Sequence, residues 1–172
     1  VREGARRDPM ALMALIPLVG HLMFAGHYDE AIAEAERAIE LYPDVGFLRR
    51  TAAYALWFRG SHEEALLKFE EVFGADSEIV QATRVGYERG GPSLAMRNAA
   101  EYLAARPDPD PLSVARRYAM AGESDLTFMW LEKAFEVRRP QLLHVAGHPA
   151  YDSIRDDPRY RDLLLRMGMP VD

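Results

Sequence analysis

The chain has 172 residues, 49% hydrophobic and 28% charged, with a formal net charge of -6. That balance excludes a disordered chain and argues against nucleic acid or an anionic membrane surface as the main partner. With no cysteine, a disulfide framework and a thiolate zinc site are both excluded, which agrees with a cytoplasmic location.

The chain opens on Val1 rather than Met, which reads as a piece of a longer protein. Arg2, Arg6 and Arg7 precede the apolar run MALMALIPLVGHLMF. Its outline is that of a signal peptide, but it holds Pro17 and His21 and is too short to cross a bilayer. Leu15, Leu18 and Leu22 fall at helical spacing instead, so a helix is expected that ends near Ala25.

A turn at Gly26 leads into a second helix from about Asp29, with Ala31, Ile32, Ala35, Ala38 and Ile39 on one face and Pro43 as its stop. The small residues of that face allow close approach of the two helices. The plan then repeats. A first helix over about 45–59 meets Gly60, and Glu63, Glu64, Ala65 and Leu66 open its partner, with acidic side chains at the positive end. Gly26 and Gly60 are 34 residues apart, as are Ala31 and Ala65. A period near this length marks stacked helix pairs.

Two looser units follow. Gly90 starts one, with Ala95, Ala99 and Tyr102 where Ala31, Ala35 and Ala38 stood. Gly122 starts another, with Thr127, Leu131 and Ala134 there. RPDPDP over 106–111 breaks the preceding helix and connects one unit to the next. After Pro140 the pattern stops, and two short helices are expected. One starts at His148-Pro149. The other has Asp157 as N-cap, Pro158 as first residue and Gly168 at its end. Such a segment covers the apolar end of a stack.

Gly26 to Ile32, then Ala38, Leu41 and Pro43, resemble the tetratricopeptide repeat. The Gly60 unit matches with His62 at the aromatic position, and the Gly90 and Gly122 units match more loosely. The resemblance implies an all-α right-handed superhelix (solenoid) of about four helix hairpins with a C-terminal capping helix. On this reading residues 1–172 form one domain, with repeats at 11–44, 45–78, 79–108 and 109–140 and a cap at 141–172. The segment AYDSIRDDPRYRDLLLRMGM after WLEKAFEVRRP is similar to the end of repeat arrays in large bacterial regulatory proteins. There such arrays follow a catalytic or DNA-binding domain, and none is present in this sequence.

The family implies a non-catalytic protein–protein interaction scaffold that binds a peptide or helix on its concave face, lined by the first helix of each hairpin. Phasing from each turn glycine puts Phe24, Arg50, Tyr54, Trp57, Phe58, Arg84, Tyr87 and Arg116 on that face. Aromatic and arginine side chains are the types enriched at binding hot spots, and the arginines suit carboxylates. The alternative use of the same aromatics is packing between neighbouring repeats. Chaperone-binding members of the family clamp a terminal carboxylate with Lys and Asn. Here Ile16, Gly20, Thr51 and Arg84 stand at the matching places, so that clamp is not expected.

A different alternative is self-association, with Met13, Met23, Phe24 or the aromatic helix over 45–59 buried between copies. No phosphate loop, nucleophile elbow or metal-protease motif occurs, and neither enzyme activity nor a cofactor is expected. His144, His148, Asp152 and Asp156 recur every four residues, but Gly147 and Pro149 interrupt the helix a metal site would need.

Overall fold

The computed structural model describes residues 9–170, with side chains described from residue 12. Among the described residues it is all-helical, with eight α-helices, two 3-10 turns and no strand. It divides into two compact units, one ending at Asp76 and the other starting at Ser77.

The first unit holds α1 (Pro9–Phe24), α2 (Tyr28–Leu41), α3 (Gly46–Arg59) and α4 (His62–Phe73). Each helix packs against the next, and α1 also packs against α3. Ala31, Ala35 and Ala38 are wholly buried, as their spacing predicts. Ala35 and Ala38 share a core with Val19, Tyr42, Leu48 and Ala52, and Leu12, Leu15 and Ile16 of α1 close over it. Alanine at these crossings leaves room for backbones to approach, so the stabilisation comes from many short contacts.

The turns repeat in atomic detail. Gly26, Gly60 and Gly122 each adopt positive φ, the left-handed conformation that glycine takes without a Cβ clash. In each turn the glycine N–H reaches back three residues, to the carbonyls of Met23, Trp57 and Ala119. The next N–H reaches back five, to Leu22, Leu56 and Tyr118. This pair of bonds satisfies carbonyls that the helix end would otherwise leave open. Five residues after each glycine lies a wholly buried small side chain: Ala31, Ala65 or Thr127. The polar Thr127 fits because its Oγ1 donates to the Glu123 carbonyl at 2.8 Å.

The second unit starts with α5 (Glu78–Ala104), whose helical path breaks at Gly90 and Gly91 just before Pro92. This break is the hairpin turn expected at Gly90. The two arms meet so closely that a Cβ on Gly86 would lie 2.6 Å from the Leu94 carbonyl oxygen. Then come α6 (Pro111–Ala121) and α7 (Ser124–Glu136). Asp110 caps α6 by accepting from the Ser113 N–H at 3.1 Å.

After α7 the chain differs from expectation in two places. The helix expected from Pro149 is a 3-10 turn, Pro149–Ile154, and a further 3-10 turn, Pro140–Ala146, precedes it, while the helix expected from Pro158 is α8 (Pro158–Arg166). Both expected starts are present. The His148 ring accepts from the Ala150 N–H, and the Asp157 carboxylate accepts from the Arg159 N–H. The second 3-10 turn packs on α6, while the first turn and α8 pack on α7. Tyr151, Ile154 and Leu163 are buried in this terminal segment. The Tyr160 hydroxyl donates to the Val145 carbonyl at 3.2 Å and ties α8 to the first turn.

Candidate functional site

The expected binding residues divide between the units. Phe24, Arg50, Tyr54, Trp57 and Phe58 lie in the first, and Arg84, Tyr87 and Arg116 in the second. On α3 the run from Thr51 to Trp57 is buried without a break. This helix has α1, α2 and α4 as neighbours, so little of its circumference is left for solvent. Tyr54 is 4% exposed and Trp57 5%, which corrects the expectation of open aromatic anchors.

These rings are used within the unit. Tyr54 meets Phe69 edge-on with centroids 5.2 Å apart, and Trp57 meets His62 edge-on at 4.7 Å. Phe58, half-buried, stacks with Tyr28 at 6.0 Å and with Tyr54 at 6.3 Å. Edge-on and offset geometries suit the ring quadrupoles. Partial burial next to Trp57 lowers the His62 pKa, because desolvation penalises the imidazolium. Met23, expected at a contact between copies, is also buried.

What α3 leaves exposed is Gly46, Phe47, Arg50 and its last residue Arg59. The Arg50 guanidinium lies 6.0 Å from the centre of the Phe47 ring. Beneath that ring is Gly20 of α1, where a Cβ would come within 4.0 Å of the Phe47 Cζ. Gly20, Phe47 and Arg50 therefore form a small apolar and cationic face shared by α1 and α3. Phe24 is half-buried on α1. In the second unit Arg84 and Tyr87 on α5 and Arg116 on α6 are all half-buried. Next to Arg116, Arg117 is buried, with Nη1 donating to the Ser113 carbonyl at 3.0 Å.

Arg59 was not foreseen as a junction. Its Nη1 donates to Asp29 at 2.9 Å and its Nη2 to Ser61 at 3.0 Å. A guanidinium at the end of α3 thus meets acidic and hydroxyl groups at the starts of α2 and α4, as the helix dipoles favour. The adjacency of Arg59 to the turn glycine is the only sequence signal for it.

Among the described residues no three His, Asp or Glu side chains are grouped as a metal site would require. His148 is buried as a helix cap, and His144, Asp152 and Asp156 are exposed. No described helix is long and apolar enough to cross a membrane. No protein-family model, curated protein or solved structure matches the chain.

Proposed function

We propose that this chain is a non-catalytic interaction module of the tetratricopeptide kind, part of a longer regulatory protein, which holds a peptide or helix of another protein. The observation that supports this reading is the recurrence of one turn, at Gly26, Gly60 and Gly122, each followed at the same distance by a buried small residue. Recurrent hairpins bury their shared faces and leave other helix faces free to vary with the partner. The right-handed superhelical stacking of such repeats belongs to the same proposal. On the face of α1 and α3, Phe47 and Arg50 are an exposed aromatic and arginine pair, types enriched at protein interfaces.

Selection of random displayed peptides on the immobilised chain tests the reading. Enriched peptides should lose at least about tenfold in affinity for a Phe47→Asp, Arg50→Glu double variant. Both side chains are exposed, so the variant should fold. Equal binding to both proteins, or no enrichment, would overturn it.

Self-association is a second reading, favoured by one feature. From Pro9 to Phe24, α1 carries no Asp, Glu, Lys or Arg, yet Met13 is 69% exposed and Leu18 44%. Light scattering decides it, since a monomer at every concentration removes this reading.

A further inference from the structure

We infer that the first unit carries a second binding site, on α2, α3 and α4 and separate from the Phe47–Arg50 face, for a short peptide segment that joins a leucine-like side chain to a lysine or arginine. A hollow of about 400 Å³ lies there, within the volume range of small ligand sites. Three of its eight lining residues are apolar. Ile32 of α2 and Leu56 of α3 are buried, while Leu67 of α4 is 57% exposed at the same hollow. An exposed leucine beside two buried apolar side chains gives an incoming side chain something to cover.

The charges around this hollow choose the sign of the ligand. Two cations line it, and both are engaged. Arg59 bonds Asp29 and Ser61 and lies 3.4 Å from Glu64. Lys68 pairs with Oε2 of Glu71 at 2.9 Å. Glu36 also lines the hollow, exposed on α2. The three lining carboxylates therefore outnumber the two cations, and Glu71, itself 56% exposed, has its second oxygen to offer. An anionic segment would face this excess at close range, whereas a lysine or arginine beside the apolar anchor would meet Glu36 and Glu71. Exposed charges of this kind act mainly on specificity. No wall of the hollow comes from α1, so the site does not depend on the other face.

Titration of the ¹⁵N-labelled chain with two peptide amides, acetyl-Lys-Leu-Leu-Lys and acetyl-Glu-Leu-Leu-Glu, tests the assignment. The basic peptide should shift amides around Ile32, Glu36, Leu67 and Glu71, and the acidic peptide should not. Glu36→Lys and Leu67→Lys, both at exposed positions, should each weaken the basic peptide by about tenfold or more, and Arg50→Glu should leave it unchanged. Equal shifts with both peptides, shifts confined to α1 and the Phe47–Arg50 region, or no shift at millimolar peptide would each overturn the proposal.

Discussion

The Arg159 guanidinium lies 4.3 Å from the centre of the Phe128 ring, and its Nη1 donates to Asp125 at 2.8 Å. Seven residues later on each helix the arrangement recurs. Arg166 lies 4.8 Å from the centre of the Phe135 ring and pairs with Glu132. Seven residues is close to two helical turns, so α7 and α8 run side by side in the same direction and the contact repeats along both. Each arginine joins an apolar face and a carboxylate at once, which its planar fork permits and an ammonium does not.

These paired contacts should decide how firmly α8 is held. Arg159→Ala combined with Arg166→Ala should speed amide hydrogen exchange across α8, with smaller changes in α7, which is also packed on α6. The corresponding lysine variants should fall between, since charge remains but the stacked plane is lost. Exchange in α8 equal to that of the parent chain would show that the arginines do not hold the helix.

Trp57 gives a stability prediction where the sequence suggested a binding one. Buried against His62 and Phe69, it should cost about 3–5 kcal/mol when truncated to Ala. Phe47→Ala, at a site 36% exposed, should cost far less. Denaturant unfolding of the two variants measures the difference, and similar losses would mean that Trp57 is not part of the core.

The hairpins were legible because their signals are local. A turn glycine, a small residue five positions on and an apolar stripe all lie within one helix pair. The fate of Tyr54 and Trp57 was not, because it depends on how many neighbours α3 has. Periodicity identifies one buried stripe, while α3 is buried from Thr51 through Trp57. The first 3-10 turn was missed for a related reason, since Pro140 and Gly147 bound it but Leu142 and Val145 are its one buried pair, too short an apolar pattern to mark a helix. The heptad offset between Asp125-Phe128 and Glu132-Phe135 is visible in the sequence. Only the pairing of α7 with α8 gives it meaning.

Gly86 should be intolerant of any side chain. A Cβ there would lie 2.6 Å from the Leu94 oxygen, 2.7 Å from the Ala95 Cα and 2.8 Å from the Ala95 nitrogen. All three are backbone atoms, so no rotamer change relieves the clash. Gly86→Ala should therefore destabilise by up to about 3 kcal/mol, exceeding the ~1 kcal/mol that alanine gains in a helix. At Gly90 the nearest atoms belong to the Leu94 side chain, which can move, so Gly90→Ala should cost less. Thermal unfolding of the two variants would refute this if their order were reversed.

The end of α7 offers a gain. Arg138, with φ of 50°, is the one non-glycine with positive φ among the described residues. Its N–H bonds the Phe135 carbonyl and the Arg139 N–H bonds the Ala134 carbonyl, the same closure that glycine makes at the hairpin turns. Arg138→Gly removes the Cβ strain and should stabilise by about 1 kcal/mol. A lower melting midpoint would mean that the arginine side chain contributes more than its backbone costs.

His148 should make stability depend on pH. Its ring is buried, and its Nδ1 accepts from the Ala150 N–H at 3.1 Å, a bond that needs the neutral form. Burial first, then the charges of Arg116 and His144, lower its pKa from 6.5 to about 3. Between those values the unfolded chain binds a proton that the folded chain refuses, so stability falls as pH drops below the unfolded pKa. The loss due to this group should reach about 2 kcal/mol at about pH 5. His148→Asn keeps a cap acceptor and removes the titration. Denaturant unfolding at about pH 7.5 and about pH 5 should therefore show the parent chain losing about 2 kcal/mol more than the variant. Parallel losses in the two proteins would mean that His148 takes up its proton without opening the turn it caps.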